Sequence, residues 1–399
     1  MELPAFNART LRQGRSWRWA VLAPGEIAAD FTRTLHGNSS HRVVAVGSRS
    51  PDRARAFASK FGVDRSYGSY DAAVADSAVD AVYVAAPNRF HAELALLAID
   101  AGKPVLVEKP FGVNAAETAR VARAGEQAGV FVMEAMWTRY LPQFRVLSEI
   151  LQRHDLGDVH LATANVGWKV AQDDTENRLF SPELGGGVGL DMSVYGLWFT
   201  RFVFGQPTAV RAAGSLTPRG VDDQFVAALA FGPRRHATVS ASMLVTNSGY
   251  ASVHGTQGSV EFIDYFVFPS RMRITVNGKT SEWDDGTGLK GRDGLVWQAV
   301  AMAEYLEQGR LQSPVYPMSE STALARTLDE VETQLRAANG HERNALELHG
   351  SPAGRMVRGQ PAMPYAPTTV PLAGAGPLVQ RSLMAETNSP NAGSAVSGL

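Results

Sequence analysis

The 399-residue chain has no cysteine, so disulfides, thiolate zinc sites and a cysteine nucleophile are excluded. It has no excess charge of either sign: 38 Lys and Arg stand against 39 Asp and Glu. A nucleic-acid binder normally shows a basic surplus, so any anionic ligand must be held here by a local set of donors. No stretch reaches the roughly 18 apolar residues of a membrane span. The opening, MELPAFNARTLRQGRSWRW, lacks the continuous apolar run of a secretory signal. The nine histidines are scattered without ligand spacing, which points to no metal site. A cytoplasmic location is the resulting expectation, with neither nucleic acid nor membrane as a partner. The length exceeds what one hydrophobic core usually organises, so two domains are expected.

What is there divides at about Pro142. Before it, short apolar runs alternate with helical patterns. The runs are Trp19–Leu22, Arg42–Gly47, Ala81–Ala86, Lys103–Val107 and Phe131–Met133. The helical patterns are Ile27–Leu35, Pro51–Phe61, Phe90–Ala101 and Ala115–Ala128. Continuous apolar strands separated by helices predict a doubly wound parallel sheet of the Rossmann type. After Pro142 a helix near Gln143–Gln152 leads into strands that alternate apolar and polar residues. The candidates are His160–Trp168, Ala209–Ser215, Phe225–Phe231, Ala237–Val245, Ser252–Gly255, Ser259–Ile263 and Arg271–Val276. In Ala237–Val245 the spacing places Val239, Ala241, Met243 and Val245 on one face. This half reads as an α+β domain with an open, mostly antiparallel sheet, closed by helices Val296–Gln308 and Glu320–Ala338. The expected domains are residues 17–138 for a dinucleotide and 139–345 for substrate binding and oligomerisation. The Pro-, Gly-, Ser- and Ala-rich stretch 350–399 reads as a disordered tail.

A dinucleotide site needs small residues where the first strand turns into the first helix. The loop Ala23-Pro24-Gly25-Glu26-Ile27-Ala28 has one expected glycine, Gly25, and alanine in the other two positions. An ordinary strand-to-helix turn is the alternative, and its place after the first strand of a βαβ unit favours the phosphate loop. Glu26 would repel a pyrophosphate unless its side chain turns to solvent. At the second strand end the chain has Ser48 and Arg49, with Arg53 beyond, where a carboxylate would read a free ribose hydroxyl. A hydroxyl and two guanidinium groups suit a phosphate. NADP is therefore favoured, with NAD as the alternative.

At the next strand ends stand Ala86-Pro87-Asn88-Arg89-Phe90-His91 and Val107-Glu108-Lys109-Pro110. With the loop and Ser48-Arg49, this pairing resembles the glucose–fructose oxidoreductase/inositol dehydrogenase family from Trp19 to about Ala338. The stretch Glu134-Ala135-Met136-Trp137-Thr138-Arg139-Tyr140-Leu141-Pro142 is most similar to its dimeric dihydrodiol dehydrogenase and D-xylose dehydrogenase branch. The resemblance implies that Lys109, with a cis bond to Pro110, lies beside nicotinamide and substrate. It implies a cofactor lined by residues 23–27, Ser48, Arg49, Arg53, Ala86, Pro87, Asn88, His91, Glu108, Trp137 and Arg139. In Gly185-Gly186-Gly187-Val188-Gly189-Leu190-Asp191-Met192-Ser193-Val194-Tyr195, it places Asp191 near the substrate and Tyr195 as acid/base. Many family members have His where Tyr195 stands, whereas the dihydrodiol branch has Tyr.

The implied chemistry is hydride transfer between a nicotinamide and a CH–OH group of an aldose or a trans-dihydrodiol. Tyr195 would exchange the hydroxyl proton while Lys109 polarises the oxygen and keeps tyrosinate accessible. The reverse split leaves Lys109 as proton carrier. Asp191 would orient the substrate or Lys109, Arg139 would meet its hydroxyls, and Trp137, Trp168 or Phe180 would form an aromatic wall. The alternatives are a non-catalytic dinucleotide-binding redox sensor, or an assembly protein. The family's open sheet also implies a homodimer or higher homo-oligomer.

Overall fold

The computed structural model describes residues 11–171 and 177–340; the expected tail lies outside them. The first half runs β1 (Arg18–Leu22), α1 (Glu26–Asn38), β2 (Arg42–Gly47), α2 (Pro51–Phe61), β3 (Arg65–Tyr67), α3 (Tyr70–Val74), β4 (Ala81–Val84), α4 (His91–Asp100), β5 (Val105–Glu108), α5 (Ala115–Ala128) and β6 (Val132–Ala135). The six strands are parallel in the order β3-β2-β1-β4-β5-β6. Strands β4, β5 and β6 are buried along their whole length, which is why they read as apolar runs, although β5 and β6 also bury Glu108 and Glu134. The helices between them carry their own boundary signals. Ser50 caps α2 by accepting from Arg53 N, Asn114 caps α5 by accepting from Glu117 N, and Gly62 and Gly129 end them in the left-handed region.

The second half continues with α6 (Pro142–Gln152), β7 (Val159–Gly167), α7 (Val194–Phe204), β8 (Ala209–Leu216), β9 (Asp222–Ala230), β10 (His236–Ser242), β11 (Ala251–Gly255), β12 (Gly258–Phe262), β13 (Met272–Val276), β14 (Lys279–Trp283), α8 (Val296–Glu307) and α9 (Met318–Ala338). Its eight strands order as β14-β13-β12-β11-β7-β10-β9-β8. Among the described strands of this sheet only β7 and β10 pair in parallel. One face packs on α6 and α7, where Phe144 stacks at 5.2 Å on Phe262 and meets Trp198 edge-on at 4.8 Å. No described helix is long and apolar enough to cross a membrane.

Four features depart from the sequence reading. Strand β3 with α3 was not expected, and neither was β14; β3 and all but the last residue of β14 are polar or exposed edge segments without an apolar run. Val239, Ala241 and Met243 are buried as expected, but Val245 is exposed because β10 stops at Ser242. Helix α8 does not serve the second sheet: its Ala299, Met302 and Ala303 join the core around Trp19 and Phe31 of the first half. Helix α9 spans both, with Met318 in the first-half core and Leu324, Leu328, Val331 and Leu335 in the second. Removing the Phe144 ring would leave a cavity at the centre of the second core. Phe144→Ala is expected to cost about 3–5 kcal/mol, read as a lowered denaturant midpoint.

Candidate active site

In an open α/β sheet ligands bind beyond the strand carboxyl ends, where the strand order reverses. That point lies between β1 and β4, and a cavity of about 650 Å³ opens there, within the range of small-molecule sites. The phosphate loop, residues 23–27, forms one wall. Ala23 adopts φ 67°, the left-handed region usually left to glycine, so the loop keeps its turn with alanine in place. Its N–H donates to Gly47 O and its carbonyl accepts from Gly25 N. No side chain caps α1 at Gly25, and a Cβ there would meet nothing within 4 Å. An uncapped helix start beside open space is a ready cradle for phosphate oxygens. Glu26 turns outward, with an 85% exposed side chain paired to Arg292 at 2.8 Å.

Ser48 is buried at the end of β2, its Oγ accepting from Ser50 N. Arg49 and Arg53 are exposed on the same wall. Arg49 lies 5.2 Å over the Phe90 ring, and Arg53 reaches Pro24 O at 3.5 Å. The other walls include Ala86, Pro87, Asn88, His91 and Glu108.

Lys109 sits on a turn fixed one backbone group at a time. Its own N–H donates to Glu108 Oε2, Phe111 N–H donates to the buried Glu134 Oε1, and Pro110 O lies 2.7 Å from His91 Nδ1. The Lys109–Pro110 bond is cis, as the resemblance implied. His91 Nε2 lies 2.7 Å from Ala86 O. Burial lowers the His91 pKa to about 4, so the ring is neutral at pH 7 and serves one carbonyl as donor at a time. Burial also pushes up Glu108, although Tyr83 donates to it, and raises Glu134 to about 7.

The second half meets this turn through its glycine loop. Gly185 O accepts from Asn88 Nδ2 at 2.8 Å. Gly187 has φ 113°, and a Cβ there would sit 2.1 Å from Asp222 Oδ1. Asp222 Oδ2 in turn accepts from Gly189 N at 2.6 Å. A wide π-type turn over Gly189–Ser193 then feeds α7. This turn carries Asp191 to Lys109, whose Nζ donates to Asp191 O at 2.6 Å and lies 3.6 Å from Asp191 Oδ1. Arg178 Nη2 donates to the same Oδ1 at 2.8 Å. Burial would raise the Asp191 carboxyl, but Lys109 and Arg178 outweigh it and hold the group below its ordinary value. Lys109 Nζ is 4.8 Å from the Tyr195 ring centre, and Tyr195 OH accepts from Trp137 Nε1 at 2.9 Å.

Of the expected site residues, all but one line this single cavity, as does Trp168. Arg139 is the correction. It is not among the lining residues; its Nε donates to Val315 O and its guanidinium lies 5.0 Å over Phe202. Phe180 belongs to the second core and not to the wall. Accessible tyrosinate is a second correction: burial and the nearby Glu108 push the Tyr195 hydroxyl well above its ordinary value, so it stays protonated. Sequence reading missed Arg178, Phe268 and Arg292 as lining residues. None belongs to a strand-end motif, and the last two come from segments remote in sequence from every other lining residue except Val267.

The family model of the oxidoreductases with an NAD-binding Rossmann fold matches residues 17–136. That of the GFO/IDH/MocA C-terminal domain matches residues 144–261. The chain belongs to the GFO/IDH/MocA oxidoreductase family. This GFO/IDH/MocA protein is a dehydrogenase. It is 34% identical over 329 residues to the trans-1,2-dihydrobenzene-1,2-diol dehydrogenase of Homo sapiens, across 79% of this chain and 95% of that one. The enzyme of that name from Bos taurus is 33% identical over 328 residues, with 79% and 95% covered. The fold is similar to the aldose–aldose oxidoreductase from Caulobacter crescentus complexed with glycerol (TM-score 0.73, 23% identity, 81% of this chain and 98% of that one). It is also similar to a 3-ketoreductase from Actinomadura kijaniata in complex with NADP and TDP-benzene (TM-score 0.70, 24% identity, 80% and 98%).

The buried Glu134 gives a pH test. Its folded pKa of about 7 lies above the ordinary 4.5, so the folded chain keeps a proton that the unfolded chain releases. This contribution is complete below pH 4.5 and is lost as pH rises through about 7. From pH 5 to 7 the wild type should lose about 2 kcal/mol more than Glu134→Gln, which cannot titrate. Urea melts at the two pH values check this.

Proposed function

We propose that the chain is an NADP-dependent dehydrogenase acting on a CH–OH group of a sugar or vicinal diol. The observation that carries this reading is the convergence, in one cavity, of the phosphate loop, the Ser48–Arg49–Arg53 cluster and the Lys109–Asp191–Tyr195 group. Residues 17–138 would bind the cofactor, with the pyrophosphate at the uncapped start of α1 and the 2′-phosphate between Ser48, Arg49 and Arg53. Residues 139–345 would supply most of the substrate wall and the proton. The names of the relatives, a dihydrodiol dehydrogenase and an aldose oxidoreductase, support substrates with neighbouring hydroxyls. Trp137, Trp168 and Phe268 offer flat faces to such a ring, and Lys109, Asp191 and Arg178 offer polar partners.

When bound, the nicotinamide supplies or accepts the hydride. The rest is the work of side chains. Lys109, paired with Asp191, stabilises negative charge developing on the reacting oxygen. Tyr195 accepts its own hydrogen bond from Trp137, which leaves its phenolic proton to donate. In the reducing direction it passes that proton to the substrate oxygen. Glu108, His91 and Glu134 hold the lysine turn. The sensor reading is less favoured, because a sensor has no need of a paired ammonium and phenol at the nicotinamide end. The outward face of the second sheet, where Leu161 and Val226 are 44% and 59% exposed, is the surface through which two copies would pair.

Absorbance at the reduced-nicotinamide band tests the reading, with NAD and NADP each tried on aldoses, polyols and dihydrodiols. Turnover with NADP on a vicinal-hydroxyl substrate is expected; silence on every substrate with cofactor still bound favours the sensor. Lys109→Met should abolish turnover while NADP binding survives, and retained turnover would sink the assignment. Replacing Arg49 and Arg53 together by Ala should weaken NADP relative to NAD by roughly ten- to a hundredfold.

A further inference from the structure

Arg292 stands in the short turn Gly291–Leu295, far along the chain from the phosphate loop, yet it lines the same cavity. Its Nη1 donates to Glu26 Oε1 at 2.8 Å and to Asp30 Oδ2 at 2.6 Å. Both bonds use one nitrogen of a fork with five N–H donors. The turn has separate anchors: Arg33 Nη1 donates to Asp293 Oδ1 and Thr34 Oγ1 to Asp293 O, each at 2.8 Å. The turn therefore needs Arg292 least for its own place. The phosphate loop itself offers backbone N–H groups but no cation, and its one charged residue, Glu26, has the wrong sign for a diphosphate. The other cations of the cavity have other partners. Lys109 is paired with Asp191, Arg178 is bonded to the same carboxylate, Arg49 follows β2 and lies over the Phe90 ring, and Arg53 in α2 reaches a backbone carbonyl of the loop. Arg292 is the cation ion-paired to the loop's carboxylate, whereas Arg53 reaches only the Pro24 carbonyl.

We propose that Arg292 is a cofactor-binding residue, whose guanidinium offsets Glu26 and turns its remaining N–H donors to the dinucleotide diphosphate from the second half of the chain. The proposal rests on the dinucleotide reading above. It separates two tasks: Arg49 and Arg53 choose between NADP and NAD, whereas Arg292 strengthens both alike, because both carry the same diphosphate.

The test is titration of the full chain with NADPH and with NADH at low and high salt. Arg292→Gln should weaken both by about tenfold or more, and by the same factor. Its affinity should also fall less steeply with salt than the wild type's. Arg292→Lys should recover most of the loss. Glu26→Gln, which removes the repelling carboxylate and keeps Arg292, should tighten both; it keeps the test decisive if Arg292→Gln folds poorly. Arg292→Gln binding both cofactors as tightly as the wild type, or losing NADPH alone, would overturn the proposal, as would Glu26→Gln that leaves both affinities unchanged. A wild type that binds neither cofactor overturns the dinucleotide reading itself, which is a different result.

Discussion

The site depends on one buried carboxylate. Asp191, with a side chain 6% exposed, takes Lys109 from the first half and Arg178 from the second. A lone carboxylate at that depth would be driven to its neutral form. Two cations keep it charged, and it keeps Lys109 aimed at the cavity. Removing Asp191 would leave the buried Lys109 without its charge partner, which costs far more than an exposed pair contributes. The contact thus fixes the lysine and joins the two sheets at the point where chemistry is proposed.

Everything near that contact is arranged to hold it. Behind Lys109, Glu108, His91 and Glu134 each take one backbone group of the turn. Behind Asp191, the glycines of residues 185–189 let Asp222 come against the backbone at a distance no Cβ would permit. The two sides are unequal in kind. The first is a set of buried titratable groups, and the second is a close backbone fit.

Much of this was legible in the sequence, for physical reasons that differ by element. Strands buried on both faces announced themselves as apolar runs, and helices with Ser50 or Asn114 caps were placed to the residue. Edge segments such as Arg65–Tyr67 and Lys279–Trp283 carry little apolar signal and were invisible. The strand-end motifs pointed to the cavity because strand ends in a parallel sheet must gather there. Arg139 failed because adjacency in sequence to Trp137 says nothing about which way a long side chain turns. Arg178 and Arg292 were missed for the complementary reason: they reach the cavity through tertiary folding, without a local pattern. The Tyr195 ionisation was misjudged because burial cannot be weighed against a neighbouring ammonium until the depth of the group is known.

The most direct test of the account is an experimental structure of the NADPH complex. The account predicts the 2′-phosphate between Ser48, Arg49 and Arg53, the diphosphate over Gly25, and the nicotinamide beside Lys109 and Tyr195. A cofactor lying outside this cavity, or one whose nicotinamide points away from Lys109, would contradict it.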